Sequence, residues 1–201
     1  MSKGEETKTR ILQQAAELFN QQGYASASIS DIMRVTGLQK GGIYNHFQSK
    51  DELAIQAFDY AIASISKHYR IAIRSKRHAI ERLQALIAVF NSFAENPPIA
   101  GGCPLLNTAV ESDNAHPALR ERSQQAMNSW LNLIRRVIQT GIEKGEVQNN
   151  INPDEVATII VATLEGAMMM SQLYDDTVYM QTAVNHLNYY IENNLKINGT
   201  S

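Results

Sequence analysis

Residues 28–53 read SISDIMRVTGLQKGGIYNHFQSKDEL, and the start and stop signals in this stretch decide the fold. Residues 28–31 form a capping pattern that predicts the start of a short helix, and Thr36-Gly37 predicts its end. A second short helix is predicted over about residues 39–46. Residues 49–52 predict a capping box for a longer helix. Two short helices joined by a tight turn containing glycine, beside a longer supporting helix, form a helix-turn-helix.

Outside this stretch, apolar residues recur at helical spacing and no segment alternates convincingly like a strand. The pairs Cys103-Pro104, His116-Pro117 and Asn152-Pro153 are typical helix starts, because proline fits the first turn of a helix. The sequence therefore predicts an all-α protein of about nine helices. We expect an N-terminal helix-turn-helix three-helix bundle within residues 1–50 and a C-terminal helical domain over residues 51–201.

The net charge of the chain is −2, but it is unevenly divided along the sequence. Residues 1–82 hold 12 Lys and Arg against 8 Asp and Glu, whereas residues 83–201 hold 6 against 12. A mildly basic first part joined to an acidic second part indicates an anionic partner for the first part only. Because such a small surplus is also common on solvated helices, it points to nucleic acid only together with the helix-turn-helix.

Composition narrows the class of protein further. Apolar residues make up 44% of the chain and charged residues 19%, as in ordinary globular proteins. No apolar run approaches the roughly 18–20 residues that span a bilayer, and the N-terminus lacks the apolar core of a secretory signal, so we expect a cytoplasmic protein without a membrane partner. The single cysteine cannot form an intrachain disulfide. The histidines show no metal-ligand spacing and no phosphate-binding loop is present, so we expect no metal and no cofactor, and an enzyme is disfavoured.

The helix-turn-helix stretch resembles the DNA-binding domain of TetR-family transcriptional regulators over about residues 7–54. Glycines, aromatic residues and the capping box all stand in register. The segments are Gly23-Tyr24, Ser28-Ile29-Ser30-Asp31-Ile32, Thr36-Gly37-Leu38, Lys40-Gly41-Gly42-Ile43-Tyr44-Asn45-His46-Phe47 and Ser49-Lys50-Asp51-Glu52-Leu53. Gln39 departs from the Ser or Pro that the family often has at the start of this helix. Gly102-Cys103-Pro104 is similar to a segment of one ligand-domain subgroup of the family.

The resemblance implies a DNA-binding site on the second short helix and its flanks. The residues implied are Tyr44, His46, Lys50 and Ser28 for phosphates, and Lys40, Gly41 and Asn45 for base edges. The chemistry agrees, because hydroxyl, imidazole and ammonium groups donate to phosphate oxygens, lysine donates to guanine and asparagine pairs with adenine.

Other roles are open for some of these side chains. His46 can instead cap the end of its helix, and Tyr44 can be partly core. Lys40 and Lys50 can be ordinary solvated lysines. For Leu38, Ile43 and Phe47 we expect packing beneath the helix, because buried positions favour large apolar side chains.

For the C-terminal domain the resemblance implies that a small-molecule effector binds. Methionine and aromatic side chains can line an adaptable apolar cavity, although each can equally be an ordinary core residue. The pocket residues expected are Phe58, Phe90, Phe93, Cys103, Met127, Trp130 and Met168. Cys103 stands at an apparent helix N-terminus, where the dipole favours a thiolate. A sensor of electrophiles or oxidants and a small thiol that only packs are both open.

The last two predicted helices, at about residues 152–174 and 177–194, carry more apolar surface than a monomer needs, so we expect a homodimer with a four-helix interface. The candidates for this interface are Ile159, Val161, Ala162, Leu164, Leu187, Tyr190 and Ile191. The expected function is a transcriptional regulator, a repressor that releases palindromic double-stranded operator DNA when a small apolar or electrophilic effector binds. The alternative is a ligand-independent DNA-binding or architectural protein of the same fold. Activation in place of repression depends on where the operator lies.

Overall fold

A computed structural model describes residues 2–112 and 116–197. Across these residues the chain forms nine α-helices, one short π-helical segment and no strand. An isolated β-bridge pairs Val147 with Lys196. The helices are α1 (Lys3–Gln22), α2 (Ile29–Thr36), α3 (Lys40–Tyr44), α4 (Lys50–Arg74), α5 (Ala79–Glu95), α6 (Pro104–Glu111), α7 (Pro117–Glu143), α8 (Pro153–Tyr174) and α9 (Val178–Tyr190), and the π-helical segment is Ile191–Leu195. The prediction of an all-α fold with about nine helices is confirmed.

The chain packs as two compact units. The first consists of Met1–Ile65 and Pro97–Ala126, and the second of Ser66–Asn96 and Met127–Ser201. Helices α4 and α7 each contribute to both units. The first unit therefore contains α6 and the start of α7 in addition to the helix-turn-helix.

An apolar core in the first unit holds α1, α2, α3 and the start of α4 together. Ile43 and Phe47 are 1% and 2% exposed, and the half-buried Leu38 packs against the same cluster. This confirms their expected packing role. Other members of the cluster are Ile11, Ala15, Leu18, Ile32, Leu53, Ala57 and Ile99. Burying apolar side chains on one face of each short helix fixes which face is left for solvent.

In the second unit, α8 and α9 pack on each other and on α5. By length and composition alone α8 could cross a membrane, with a mean hydropathy of 1.5 over 18 residues, but half of that window is buried inside the protein. The expectation that no apolar segment reaches this length therefore needs correction. Leu164 and Met168 lie in the core, whereas Ile159 and Met169 are exposed. A helix with two apolar sides has high hydropathy without needing a bilayer.

Part of the expected dimer interface is instead protomer core. The residues concerned are Val161, Leu164, Leu187 and Ile191, each at most 5% exposed. For these four the prediction is wrong, because their side of α8 and α9 packs within the second unit. Ile159 is 45% exposed, Ala162 is also exposed and Tyr190 is half-buried. The apolar content of one helix does not reveal which of two apolar sides meets its own core.

Two helix ends differ from the sequence prediction. The last helix was expected to reach about residue 194, but α9 ends at Tyr190 and the chain continues as a π-helical turn. At the start of α4, the Ser49 hydroxyl accepts from the backbone N–H of Glu52 at 3.0 Å, as predicted. The Glu52 carboxylate, however, accepts from the backbone N–H of Gln48 at 2.6 Å, one residue earlier than a standard capping box.

Candidate nucleic-acid interface

The start of α2 is fixed by a reciprocal capping box. The Ser28 hydroxyl accepts from the backbone N–H of Asp31 at 3.1 Å, and the Asp31 carboxylate accepts from the backbone N–H of Ser28 at 3.0 Å. The Ser28 hydroxyl also donates to the Asp31 carboxylate at 2.6 Å. This bond, followed by the one from the Ser28 N–H and by Arg34, lowers the pKa of Asp31 to about 2. Ser28 is exposed, so its predicted place beside the helix-turn-helix is available to a partner.

The turn between α2 and α3 depends on Gly37 and Thr36. Gly37 has a φ of +67°, in the left-handed region, and its N–H donates to the carbonyl of Met33 at 2.9 Å. The buried Thr36 hydroxyl donates to the carbonyl of Ile32 at 2.7 Å and accepts from the N–H of Leu38 at 3.3 Å. The turn is thus held by bonds at both ends, and α3 leaves it in a defined direction.

Helix α3 is short and presents polar and small residues to solvent. Lys40, Gly41 and Asn45 are exposed, and Tyr44 is 36% exposed. A Cβ atom added to Gly41 would meet nothing within 4 Å. No packing within the protein therefore requires glycine at this position, although glycine costs a helix up to about 1 kcal/mol relative to alanine. The space is consistent with close approach of a partner to the helix backbone.

The charged and aromatic side chains around α3 also contact one another. The Lys40 ammonium lies 5.8 Å from the centre of the Tyr44 ring, so the two side chains share one surface. His46 is half-buried, with its ring centre 6.3 Å from that of Phe47. The structure therefore places Lys40, Tyr44 and Asn45 on the exposed surface of α3, with His46 at its margin.

Lys50 has an intramolecular partner that the sequence did not predict. Its ammonium donates to the backbone carbonyl of Tyr24 at 2.6 Å and lies 4.3 Å from the centre of the Tyr24 ring. An ammonium has three donors, so this bond leaves others for a phosphate. Tyr24 in turn donates its hydroxyl to the Asp51 carboxylate. Burial, followed by this bond and the charges of Asp51 and Glu111, raises the pKa of Tyr24 to about 12.

The expected effector-pocket residues fall in both units. In the second unit, Phe90 stacks on Trp130 with ring centres 5.4 Å apart, and Tyr69 lies 6.0 Å from both Trp130 and Phe93. These rings form one aromatic cluster. Met168 is buried and Met127 is half-buried in the same unit.

Phe58 and Cys103 belong to the first unit. Phe58 lines a cavity of about 30 Å³ among α1, α4, α6 and α7, together with Phe19, Tyr24 and Glu111. A cavity of this size holds about one or two water molecules. Cys103 is half-buried at the N-cap position of α6, as its sequence context predicted. Among the residues that the structure describes, no three His, Cys, Asp or Glu side chains are grouped as metal ligands.

Sequence reasoning missed a polar cluster around the turn after α1. Glu111, the last residue of α6, accepts from the backbone N–H groups of Tyr24 and Ala25, at 2.8 Å each. Of the residues in this cluster, only Gly23 and Tyr24 carried a signal in the sequence, because they match the family pattern at the end of α1. A contact spanning 87 residues between backbone amides and one glutamate has no local sequence pattern.

A short N-terminal helix-turn-helix joined to a larger helical domain defines a class of DNA-binding transcriptional regulators. Two family models match the chain. Residues 11–57 match the model described as "Bacterial regulatory proteins, tetR family", and residues 79–187 match "Tetracyclin repressor-like, C-terminal domain". Together they cover the helix-turn-helix and most of the second unit.

Solved structures and curated relatives agree with these matches. A TetR transcriptional regulator from Chloroflexus aurantiacus J-10-FL is 44% identical, with a TM-score of 0.95, over 98% of this chain and 100% of that one. A TetR-family regulator from Cytophaga hutchinsonii is 28% identical, with a TM-score of 0.90, over 99% of each chain. The HTH-type transcriptional repressor DhaR from Mycobacterium sp. (strain GP1) is 21% identical over 83% of this chain and 82% of the relative.

The chain belongs to the TetR family of bacterial transcriptional regulators. The predicted family and the predicted helix-turn-helix are confirmed. The matching families and relatives are regulators and not enzymes.

Proposed function

We propose that this regulator is a repressor that binds palindromic operator DNA as a homodimer and releases it when a small molecule occupies its C-terminal domain. The observation that carries the proposal is the build of α3. Ile43 and Phe47 anchor its inner side in the core, while Lys40, Gly41, Tyr44 and Asn45 face solvent. A short helix with a small, polar outer face fits a major groove about 12 Å wide.

Each predicted contact residue receives a role from its chemistry. Tyr44, His46 and Lys50 donate to phosphate oxygens and fix the position of the protein on the duplex. Ser28 joins them when its hydroxyl turns from the Asp31 carboxylate to a phosphate. Lys40 and Asn45 donate to base edges, and Gly41 lets the helix backbone approach them. The contact between Lys40 and the Tyr44 ring supports placing a base contact and a phosphate contact side by side.

Dimerisation is supported by the outer apolar sides of α8 and α9. Along α8, residues 159, 162, 166, 169 and 173 recur at helical spacing, and Ile159, Met169 and Leu173 are 45%, 51% and 71% exposed. A Cβ on Gly166 would meet nothing within 4 Å, so a partner helix can come close there. On α9, Val178 and Tyr189 are 51% and 68% exposed. Two such helices from each protomer make a four-helix interface.

The effector site is proposed for the aromatic cluster of Phe90, Phe93 and Trp130, with Tyr69 beside it. Flat aromatic rings suit an apolar ligand that opens its own space, and Met127 and Met168 lie in the same unit. A thermal-shift screen of small apolar and electrophilic compounds tests this part, because a ligand that binds only the folded state raises the melting temperature. If the protein binds DNA tightly and no compound in the screen raises its melting temperature, a ligand-independent regulator is favoured.

Selection of DNA from a random pool of duplexes tests the central function. We expect the wild-type protein to enrich a palindrome whose half-sites are separated by about 10–10.5 base pairs or a multiple of that spacing. The control is a variant with Lys40, Tyr44 and Asn45 all changed to alanine, which should enrich nothing. A wild-type selection that yields no sequence above the starting pool would reject the proposal.

A further inference from the structure

The turn that joins α1 to α2 holds a carboxylate from α6. Glu111 accepts from the N–H of Tyr24 through Oε2 and from the N–H of Ala25 through Oε1, both at 2.8 Å. Two consecutive backbone N–H groups aimed at one carboxylate form a two-point grip on an anion. Bonds to a charged acceptor are stronger than neutral ones, so this contact is the main polar link from α6 to the turn.

Gly23 makes room for this grip. Its φ is +82°, and a Cβ atom there would lie 2.9 Å from Glu111 Oε1, closer than real side chains come. The N–H of Gly23 donates to the carbonyl of Phe19 at 2.9 Å, so the same residue ends α1. Glycine is needed here both for the backbone angle and for the approach of the carboxylate.

Tyr24 connects the turn that is hydrogen-bonded to Glu111 with the start of α4. Its N–H is held by Glu111, its carbonyl accepts from Lys50 and its hydroxyl donates to Asp51. Lys50 opens α4, six residues after α3 ends, while α2 begins five residues after Tyr24. The position of the turn is therefore linked to the helices on both sides of α3.

Helix α6 is also attached near its first turn. The Asn107 side-chain amide donates to Asn20 Oδ1 at 2.9 Å and to the carbonyl of Gly101 at 2.8 Å. The Asn20 amide donates to the carbonyls of Ala100 and Gly102, at 2.9 and 3.1 Å. Because α6 is bonded to the end of α1 and to the following turn, it cannot shift along them without breaking these bonds.

We propose that Glu111 is a positioning residue for DNA binding: its carboxylate lets α6 hold the α1–α2 turn in the conformation that presents α3 to the duplex. The inference rests on the proposed function. Anything that moves α6 away breaks both bonds from the turn to Glu111. Tyr24, which also contacts Lys50 and Asp51 at the start of α4, is then held less firmly, and operator affinity falls. Through Glu111, a change in the position of α6 alters how α3 is presented to DNA.

The test compares Glu111→Ala and Glu111→Gln with Glu121→Ala, which removes the same charge from an exposed position in the same unit. The probes are the duplex that the wild-type protein selects from the random pool and a scrambled duplex of equal length and composition. A second measurement is amide hydrogen exchange of residues 20–28 in the protein without DNA. Glu111→Gln keeps one accepting oxygen and serves if the alanine variant does not fold.

For Glu111→Ala we expect about 5- to 150-fold weaker binding to the selected duplex, the range of typical coupling between sites. Binding to the scrambled duplex should stay within about twofold, as for an ordinary surface substitution, because it needs only phosphate contacts. Amide exchange at residues 20–28 should become faster in Glu111→Ala. In both affinity and exchange rate, Glu111→Gln should lie between the wild-type protein and Glu111→Ala. A merely structural loss would weaken both duplexes equally and would overturn the proposal.

Two further outcomes separate this inference from the function beneath it. Selected-duplex affinity and exchange equal to those of Glu121→Ala would reject the role of Glu111 while leaving the regulator function intact. A wild-type protein that selects no duplex would reject the function, and the positioning role would fall with it.

Discussion

Tyr44 and Asn45 are neighbours in the chain, yet their chemistry assigns them different tasks on DNA. A phenol hydroxyl meets a phosphate, which every sequence has, whereas a carboxamide distinguishes adenine from other bases. Tyr44→Ala should therefore weaken binding to many duplexes alike, with the salt dependence of binding unchanged because a phenol carries no charge. Asn45→Ala should instead reduce discrimination at one base pair, by about 1–3 kcal/mol. Binding titrations on a panel of single-base variants of the selected duplex check both, and a folded Tyr44→Ala dimer with undiminished affinity would count against the assignment.

Gly41 separates the needs of folding from those of binding. Since a Cβ there meets open space inside the protein, Gly41→Ala should stabilise α3 by up to about 1 kcal/mol. The same methyl group should weaken binding to the selected duplex, because it fills the space through which the helix backbone approaches the base edges. Thermal unfolding and DNA titration of one variant measure both effects. A Gly41→Ala protein that binds as well as wild type would remove this glycine from the interface.

At the scale of the element, the capping box of α2 makes a prediction about pH. Ser28 is the main cause of the low pKa of Asp31, so Ser28→Ala should move that pKa up towards its ordinary value of 3.8. A lowered carboxyl pKa stabilises the fold above about pH 4, and this stabilisation is lost as the pH falls towards about 2. The stability difference between wild type and Ser28→Ala should shrink across that range.

An NMR titration of the Asp31 side chain, with unfolding measured at several pH values, checks this prediction. Ser30→Ala is the matched control, because Ser30 is an exposed serine of α2 outside the cap. An Asp31 pKa that stays near 2 in Ser28→Ala would contradict the account of the cap.

Local signals in the sequence were sufficient for the elements but not for their long-range contacts. The caps at Ser28 and Asn152 and the left-handed glycine at Gly37 depend on residues a few positions apart, so a sequence pattern can report them. The Lys50 bond to the Tyr24 carbonyl joins residues 26 apart, and its acceptor is a backbone atom that every residue has. Such a contact leaves no residue-type signature.

The same limit applies to the two sides of α8. Its length and its start at Asn152-Pro153 were predictable, because the cap, the proline and the following carboxylates are local. Which apolar side meets α5 and α9 depends on how three helices pack together. Val161 and Leu164 were therefore assigned to a partner although they lie in the protomer core.

At the scale of the whole molecule, the outer side of α8 should hold the dimer together. The double variant Ile159→Glu and Met169→Glu places charges on two exposed apolar positions of α8, so burying them against a partner becomes unfavourable. We expect monomers that keep their helical content, observed by sedimentation and circular dichroism. Ile71→Glu on α4, at a site 60% exposed, is the control and should remain dimeric. A double variant that stays dimeric would place the interface elsewhere.

Hydrogen exchange of the wild-type protein with and without its selected duplex tests most directly whether α3 reads DNA. Residues 38–47 should exchange more slowly in the complex, because α3 is then shielded within a groove, while a scrambled duplex at the same salt concentration should protect them less. Protection confined to other segments, with residues 38–47 unchanged, would contradict the account.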